Sequence, residues 1–142
     1  TDGDDAITIA DGGAVTFAQS MNQAHQAGAL ASNVLSFDCS KSNYFEATVN
    51  AVVNGVTFTN ATAGQRIILL ITNSTSSAHL SDANGWDAVT INGTSPGSGA
   101  DVKWAGGIEP TLTASGKDMY GIVFTSTVTT AYGFIIRQDI KA

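Results

Sequence analysis

"VKWAGGIEPTLTASGKDMYGIVF", residues 102–124, holds a tryptophan, a Gly-Gly pair, a proline and two lysines, and then runs into an apolar strand. Such a stretch is either an active-site loop or the signature of a structural domain. Downstream, "MYGIVFTST" and "AYGFIIRQDI" flank a "TVTT" turn and read as two long closing strands. The stretch opens on "VKW", expected as a short strand, and upstream of it lies the loop "TSPGSGAD" with a Pro-Gly turn. The stretch therefore sits among strands, and no catalytic motif occurs in it or elsewhere in the chain.

The same texture extends toward the N-terminus. In "NYFEATVNAVV", Tyr44, Glu46, Thr48 and Asn50 alternate with Phe45, Ala47, Val49 and Ala51, the period of a strand with one buried face. "NG" at 54–55 is a hairpin signal before "VTFTN". A turn at Ala63-Gly64 precedes "RIILLI", expected as a fully apolar central strand, and "DAVTING" is a short strand with an Asn-Gly stop. "ITIADGGAVTF" at 7–17 reads as two short strands about an Asp-Gly turn. "SMNQAHQAGALASN", 20–33, is rich in Ala and Gln with small apolar side chains, and is expected to lie on something else as an arm or linker. About nine or ten short strands, with no helical period after residue 33, predict an all-β fold: an antiparallel β-sandwich or jelly-roll. The expected organisation is an N-terminal extended arm and linker over 1–33 and the β-sandwich domain over 34–142.

Composition agrees with one domain plus an arm. The chain has 142 residues, enough to bury a core without metal or disulfide staples. Hydrophobic residues make up 43% and charged residues 13%, about half the usual charged share. Thr, Ser, Asn, Ala and Gly fill the gap, which suits strands and tight turns. The net charge of −6 and pI near 4.4 repel phosphate and argue against nucleic-acid binding. Lys41, Arg66, Lys103, Lys117, Arg137 and Lys141 are scattered and form no membrane-binding run. The longest apolar run, "IILLI" at 67–71, is strand-sized, so no membrane insertion is expected. Cys39 is the single cysteine; it makes no internal disulfide and reads as a core or strand-end residue rather than a nucleophile. The chain starts at Thr1 rather than Met, which leaves room for an upstream segment.

Asp82, Asp87, Asp101, Glu109 and Asp118 read as turn residues bonding their own backbone, more than as a glycosidase pair. The loops "SDANGWD" and "GSGAD" carry oxygens that suit calcium, without EF-hand spacing. His25 and His79 stand apart and outside any zinc pattern. "GTSPGSGAD" lacks the Lys-Ser/Thr ending of a phosphate loop. No cofactor, metal or catalytic residue is expected, and the chain is expected not to be an enzyme. Three N-x-S/T sequons, at Asn60, Asn73 and Asn92, are what an Asn- and Thr-rich chain contains anyway. Trp104, between Val102 and the Gly-Gly pair, is expected at a buried edge. Trp86 follows Asn84-Gly85 in a polar loop and is the expected exposed contact residue.

The opening stretch resembles a segment of β-rich domains in bacteriophage virion proteins, of the form V-K-W-x-G-G-x-x-P-T-L-T followed by a turn with Asp and a Tyr/Phe-containing strand. The matching positions are Val102, Lys103, Trp104, Gly106, Gly107, Pro110, Thr111, Leu112 and Thr113, with Asp118, and then Tyr132, Gly133 and Phe134. "GVTFTNATAGQRIILLI", 55–71, is similar to the strand, A-G-Q turn and apolar strand that precede that segment in the family. "SSAHLSDANGWDAVTING" is longer here and departs from the pattern. The resemblance covers residues 34–139. It implies a non-enzymatic structural protein on the virion surface, as capsid decoration or cement or as a tail appendage. The implied partners are other capsid or tail subunits and further copies of the chain, a homotrimer being one closed form. The alternative is a tail-fibre module that recognises host cell-surface glycans through Trp86 and the loops at 74–87 and 94–100. In the structural reading Gly106-Gly107 permits a sharp turn, Pro110 starts an edge strand, and Trp104 and Leu112 cap the core.

Overall fold

The computed structural model describes residues 25–77, 79–80 and 85–141. The strands expected at 7–17, and the arm as far as residue 24, lie outside the described residues. Those described form an all-β structure: β1 (Gln26–Ala27), β2 (Ala29–Ala31), β3 (Val34–Asp38), β4 (Tyr44–Val49), β5 (Gly55–Thr59), β6 (Arg66–Asn73), β7 (Val89–Ile91), β8 (Asp101–Trp104), β9 (Lys117–Phe124) and β10 (Thr130–Ile140). Short 3-10 turns at Trp86–Ala88, Pro96–Ser98 and Ala105–Gly107 are the helical elements among them.

Two sheets share one core. The larger has the order β1-β4-β6-β9-β10-β8 and the smaller β2-β3-β5-β7. From β3 to β8 the chain changes sheet at every strand. Neighbours within a sheet are then laid down in the same direction, so β3–β5, β4–β6 and β5–β7 are parallel; β1–β4 and β8–β10 are parallel as well. Antiparallel pairing, expected throughout, is confined among the described residues to β2–β3, β6–β9 and β9–β10. The β9–β10 hairpin, turning at the expected place, wedges between β6 and β8 and completes the larger sheet.

The Asn54-Gly55 signal accounts for part of this difference. No hairpin forms there: the Asn54 N–H bonds the Asn33 carbonyl at 2.7 Å, and the chain passes from one sheet to the other. Gly55 is needed for space, since a Cβ would lie 3.0 Å from the Ala88 carbonyl oxygen. A two-residue turn occurs instead at Ser32 (φ 50°) and Asn33 (φ 63°), joining β2 to β3 with the positive φ at both positions that tight hairpins favour. The domain boundary expected after residue 33 therefore falls inside a paired segment. Residues 26–31 add a strand to each sheet. Their small side chains allow it: a Cβ on Gly28 would lie 2.5 Å from the Phe37 ring.

Alternation builds the core. The even-numbered residues of β4 face out and Phe45, Ala47 and Val49 face in, as expected. β6 is central but not fully apolar in environment: Ile67, Leu69 and Ile71 are buried, whereas Ile68 is exposed on the outer face. The sheets meet through Phe37–Phe45 (5.4 Å, edge-on) and Phe58–Phe124 (5.5 Å, edge-on). Burying each such ring contributes about 1.5–3 kcal/mol. The Asn92 amide reads both backbone groups of Ala61, accepting from its N–H and donating to its carbonyl at 2.9 Å each, and ties the end of β7 to the β5–β6 connection.

Candidate interaction surface around Trp104 and the outer strands

The stretch 102–124 works as a clasp over one end of the core. Val102 and Trp104 point inward from β8 and Lys103 outward. Gly106 (φ 72°) and Gly107 (φ 70°) turn the chain back at the expected break. Pro110, Thr111 and Leu112 were expected to begin an edge strand. No strand forms over 108–116; the backbone is satisfied by other partners. The Pro110 carbonyl accepts the Trp86 indole N–H at 3.1 Å, and the Leu112 N–H bonds the Leu80 carbonyl at 2.7 Å. The Thr111 carbonyl accepts from the Gln138 amide at 3.0 Å. Leu112 is buried, as expected of a core cap.

Trp86 is the clear correction. It is 2% exposed rather than a surface contact. Its polar-loop neighbours suggested exposure, but the ring packs edge-on against Trp104 at 4.8 Å and Tyr120 at 5.9 Å. Trp104, 7% exposed, is buried at the edge as expected and meets Tyr120 at 5.7 Å. Gly133 makes room for it: a Cβ there would lie 2.7 Å from the Trp104 ring.

Asp118 anchors this cluster, and its role was missed. It was read as a turn residue, yet it lies within β9 and is fully buried. Its Oδ2 accepts the Thr113 N–H at 2.7 Å and the Tyr120 hydroxyl at 3.0 Å, and its Oδ1 accepts the Asp139 N–H at 2.8 Å. Burial, with the Asp118 charge and hydrogen bond behind it, pushes the Tyr120 phenol well above its usual range. The signal was present in sequence. Asp118 shares the period-two face of Tyr120, Ile122 and Phe124, and a carboxylate on a core face needs dedicated partners.

The other expected chemical residues are dispersed. Asp87 is exposed, in the 3-10 turn that buries Trp86, and Asp82 lies outside the described residues. Cys39 is buried, and burial followed by the Asp38 charge pushes its thiol up to about 12, a poor nucleophile at neutral pH. Among the described residues no group of three or more His, Cys, Asp or Glu is placed to hold a metal ion.

Two depressions flank the clasp. One, about 160 Å³, lies along β8 and is lined by Asp101, Lys103, Trp104, Gly107 and Glu109. Lys103 donates to Asp101; that bond first, and then the Asp101 and Glu109 charges, hold its ammonium above the usual range. The other, about 270 Å³ and mostly apolar, is lined by Trp104, Ala105, Ile108, Phe134 and Ile135. Around them large apolar side chains face solvent: Ile108 is 77% and Tyr132 59% exposed, and Phe134, Ile135 and Ile136 are about half exposed. β8 pairs β10 only through Gly133, so Phe134 and the residues after it have strand pairing with β9 alone. On the outer face, Tyr44, Ile68, Gly121 and Phe134 stand in one register row across four strands, and the Phe134 ring covers Gly121. No protein-family model, curated protein or solved structure matches this chain. The arrangement sets exposed apolar and polar side chains around a buried aromatic cluster.

Proposed function

We propose that the chain is a non-enzymatic structural subunit of a bacteriophage virion, a β-sandwich that decorates the capsid or forms part of a tail appendage. The observation that carries an assembly role is the apolar margin of the larger sheet. Ile108, Tyr132, Phe134, Ile135 and Ile136 are exposed together on a chain rich in Thr, Ser and Asn. Grouped apolar exposure of this kind marks contact with another protein, and an uncovered strand edge is a hazard unless a neighbour covers it. The virion assignment rests on the likeness of residues 102–113 and 132–134 to phage domains. In this reading the margin is covered by other virion subunits or by further copies of the chain, a closed trimer being one form. Residues 1–33 add attachment contacts.

The test is gold-labelled antibody against the chain on purified virus particles from its source, viewed by electron microscopy. Label over the shell supports decoration, and label on the tail supports an appendage. Intact particles that carry no label would overturn the reading.

A further inference from the structure

We propose that the outer face of the larger sheet docks a second copy of the chain. The two copies pack face to face about a two-fold axis that runs along the strands, between β6 and β9. The inference rests on the reading of the chain as an assembly subunit and deepens it, by naming the partner and the contact.

The first observation is a contrast between the two sheets. A sheet with one wet face alternates apolar-in with polar-out. The smaller sheet obeys: Ser36, Thr57 and Thr90 stand in one outward row across β3, β5 and β7. The larger sheet does not. Its outward positions at the centre are Ile68 and Leu70 on β6, Met119 and Val123 on β9, and Phe134 on β10. Ile68 is 39% and Phe134 46% exposed, and the other three are part-buried. An apolar face of this kind marks a protein contact.

The second observation is the register, which favours a second copy as the occupant. Glu46, Leu70, Met119 and Arg137 form one row across β4, β6, β9 and β10, with an acid at one end and a base at the other. Both end residues are exposed. Glu46 accepts the Tyr44 hydroxyl at 3.0 Å, and Arg137 makes no ion pair among the described residues. A two-fold axis between β6 and β9 exchanges the ends of each row. Glu46 of each copy then lies over Arg137 of the other, and Leu70 over Met119. In the neighbouring row Tyr44 lies over Phe134, and Ile68 over Gly121 and the Phe134 ring that covers it. Each pairing is apolar on apolar or acid on base, and each occurs twice. On a chain of net charge −6 copies repel in general, so a self-complementary row singles out this face. The axis also keeps the strands of the two copies nearly aligned, as stacked sheets require. Four strands about 4.8 Å apart and the outward rows at Arg66, Ile68, Leu70 and Thr72, about 6.8 Å apart, cover roughly 500 Å² of flat sheet. Side-chain relief raises this toward the roughly 800 Å² per partner of a specific interface.

The test is sedimentation velocity of the full-length chain over a range of micromolar concentrations. A monomer–dimer equilibrium is expected. Glu46→Arg and Arg137→Glu each set like charges together twice and should raise the dissociation constant at least about tenfold. The double variant, which swaps the pair, should return it close to the wild-type value. Ile68→Glu should give a monomer with an unchanged far-UV circular dichroism spectrum. A chain that stays monomeric, as when its own residues 1–24 or another virion protein covers the face, overturns the proposal. So does a trimer, which cannot pair this face with itself, or a dimer that ignores the single reversals or is not rescued by the swap. The antibody labelling separates this from the virion reading: a monomer that still labels particles sinks the two-fold contact alone, and a dimer absent from particles sinks the virion assignment alone.

Discussion

Replacing Asp118 with alanine removes one acceptor from three donors. Hydrogen bonds to a charged group contribute about 1.5–3 kcal/mol each. The three are not equal, however. The Thr113 and Asp139 N–H groups are part-buried and regain water in the variant, whereas the Tyr120 hydroxyl bond is fully buried. Assigning about 2 kcal/mol to the buried hydroxyl and about 1 to each N–H, less what is recovered by not burying a carboxylate, gives a loss of about 3 kcal/mol. With a urea slope near 2 kcal/mol/M, the midpoint should fall by about 1.5 M. Asp118→Asn keeps one acceptor oxygen and should lose about half as much. Tyr120→Phe should cost about 1 kcal/mol alone and little more on top of Asp118→Ala, a coupling of about 1 kcal/mol in the double-mutant cycle. Urea titrations followed by tryptophan fluorescence and far-UV circular dichroism measure all four. A loss below about 1 kcal/mol for Asp118→Ala, or strict additivity with Tyr120→Phe, would refute the view that Asp118 holds the clasp shut.

Four further outcomes follow from the same cluster and from Cys39. Trp86→Ala should destabilise by about 3–5 kcal/mol through cavity formation, and a midpoint close to wild type would mean the ring is not in the core. Gly133→Ala should cost about 1–3 kcal/mol by overpacking and red-shift the fluorescence, because the Trp104 ring is held between Trp86 and Tyr120 and has nowhere to yield; an unshifted spectrum with full stability counts against that contact. The Cys39 thiol should resist alkylation at pH 8 in the folded chain and react readily in denaturant, and fast alkylation of the folded chain would show that it is accessible. Because its folded value, about 12, lies above the reference 9.0, its contribution to stability is complete below pH 9 and is lost as pH rises toward 12. Within that window the decline due to the thiol approaches about 1.4 kcal/mol per pH unit and should be absent in Cys39→Ala.

Much of the strand inventory was legible because alternation is local. Phe45, Ala47 and Val49 against Glu46 and Thr48 specify a half-buried strand whatever it pairs with. The turn before β6 and the stop after β7 were readable for the same reason: Gly64, Asn92 and Gly93 take the positive φ that their residue types favour. The Gly106-Gly107 break belongs with them. The surface around Trp104 was legible only in part. Trp104 was expected at a buried edge, but nothing in the order of residues indicated that its N–H would be left without a partner among the described residues.

What the residue order determined by itself is an all-β chain, its main turns and the inward face of most strands, because each depends on neighbours two to four positions apart. Tertiary structure alone decided which strands pair and in which direction. "NG" at 54–55 carries the same local signal whether the chain folds back or crosses to the other sheet, and only the stacking of two sheets selects the crossing. It alone decided the fate of Trp86 and the partners of Asp118 as well. An indole in a polar loop looks exposed until Pro110 arrives from 24 residues away, and Asp118, marked for burial by its strand face, shows no acceptor role until Thr113, Tyr120 and Asp139 arrive from 2 to 21 residues away. Hydrogen-bond satisfaction of a buried group is a property of the assembled core, and it cannot be read from the segment that carries the group.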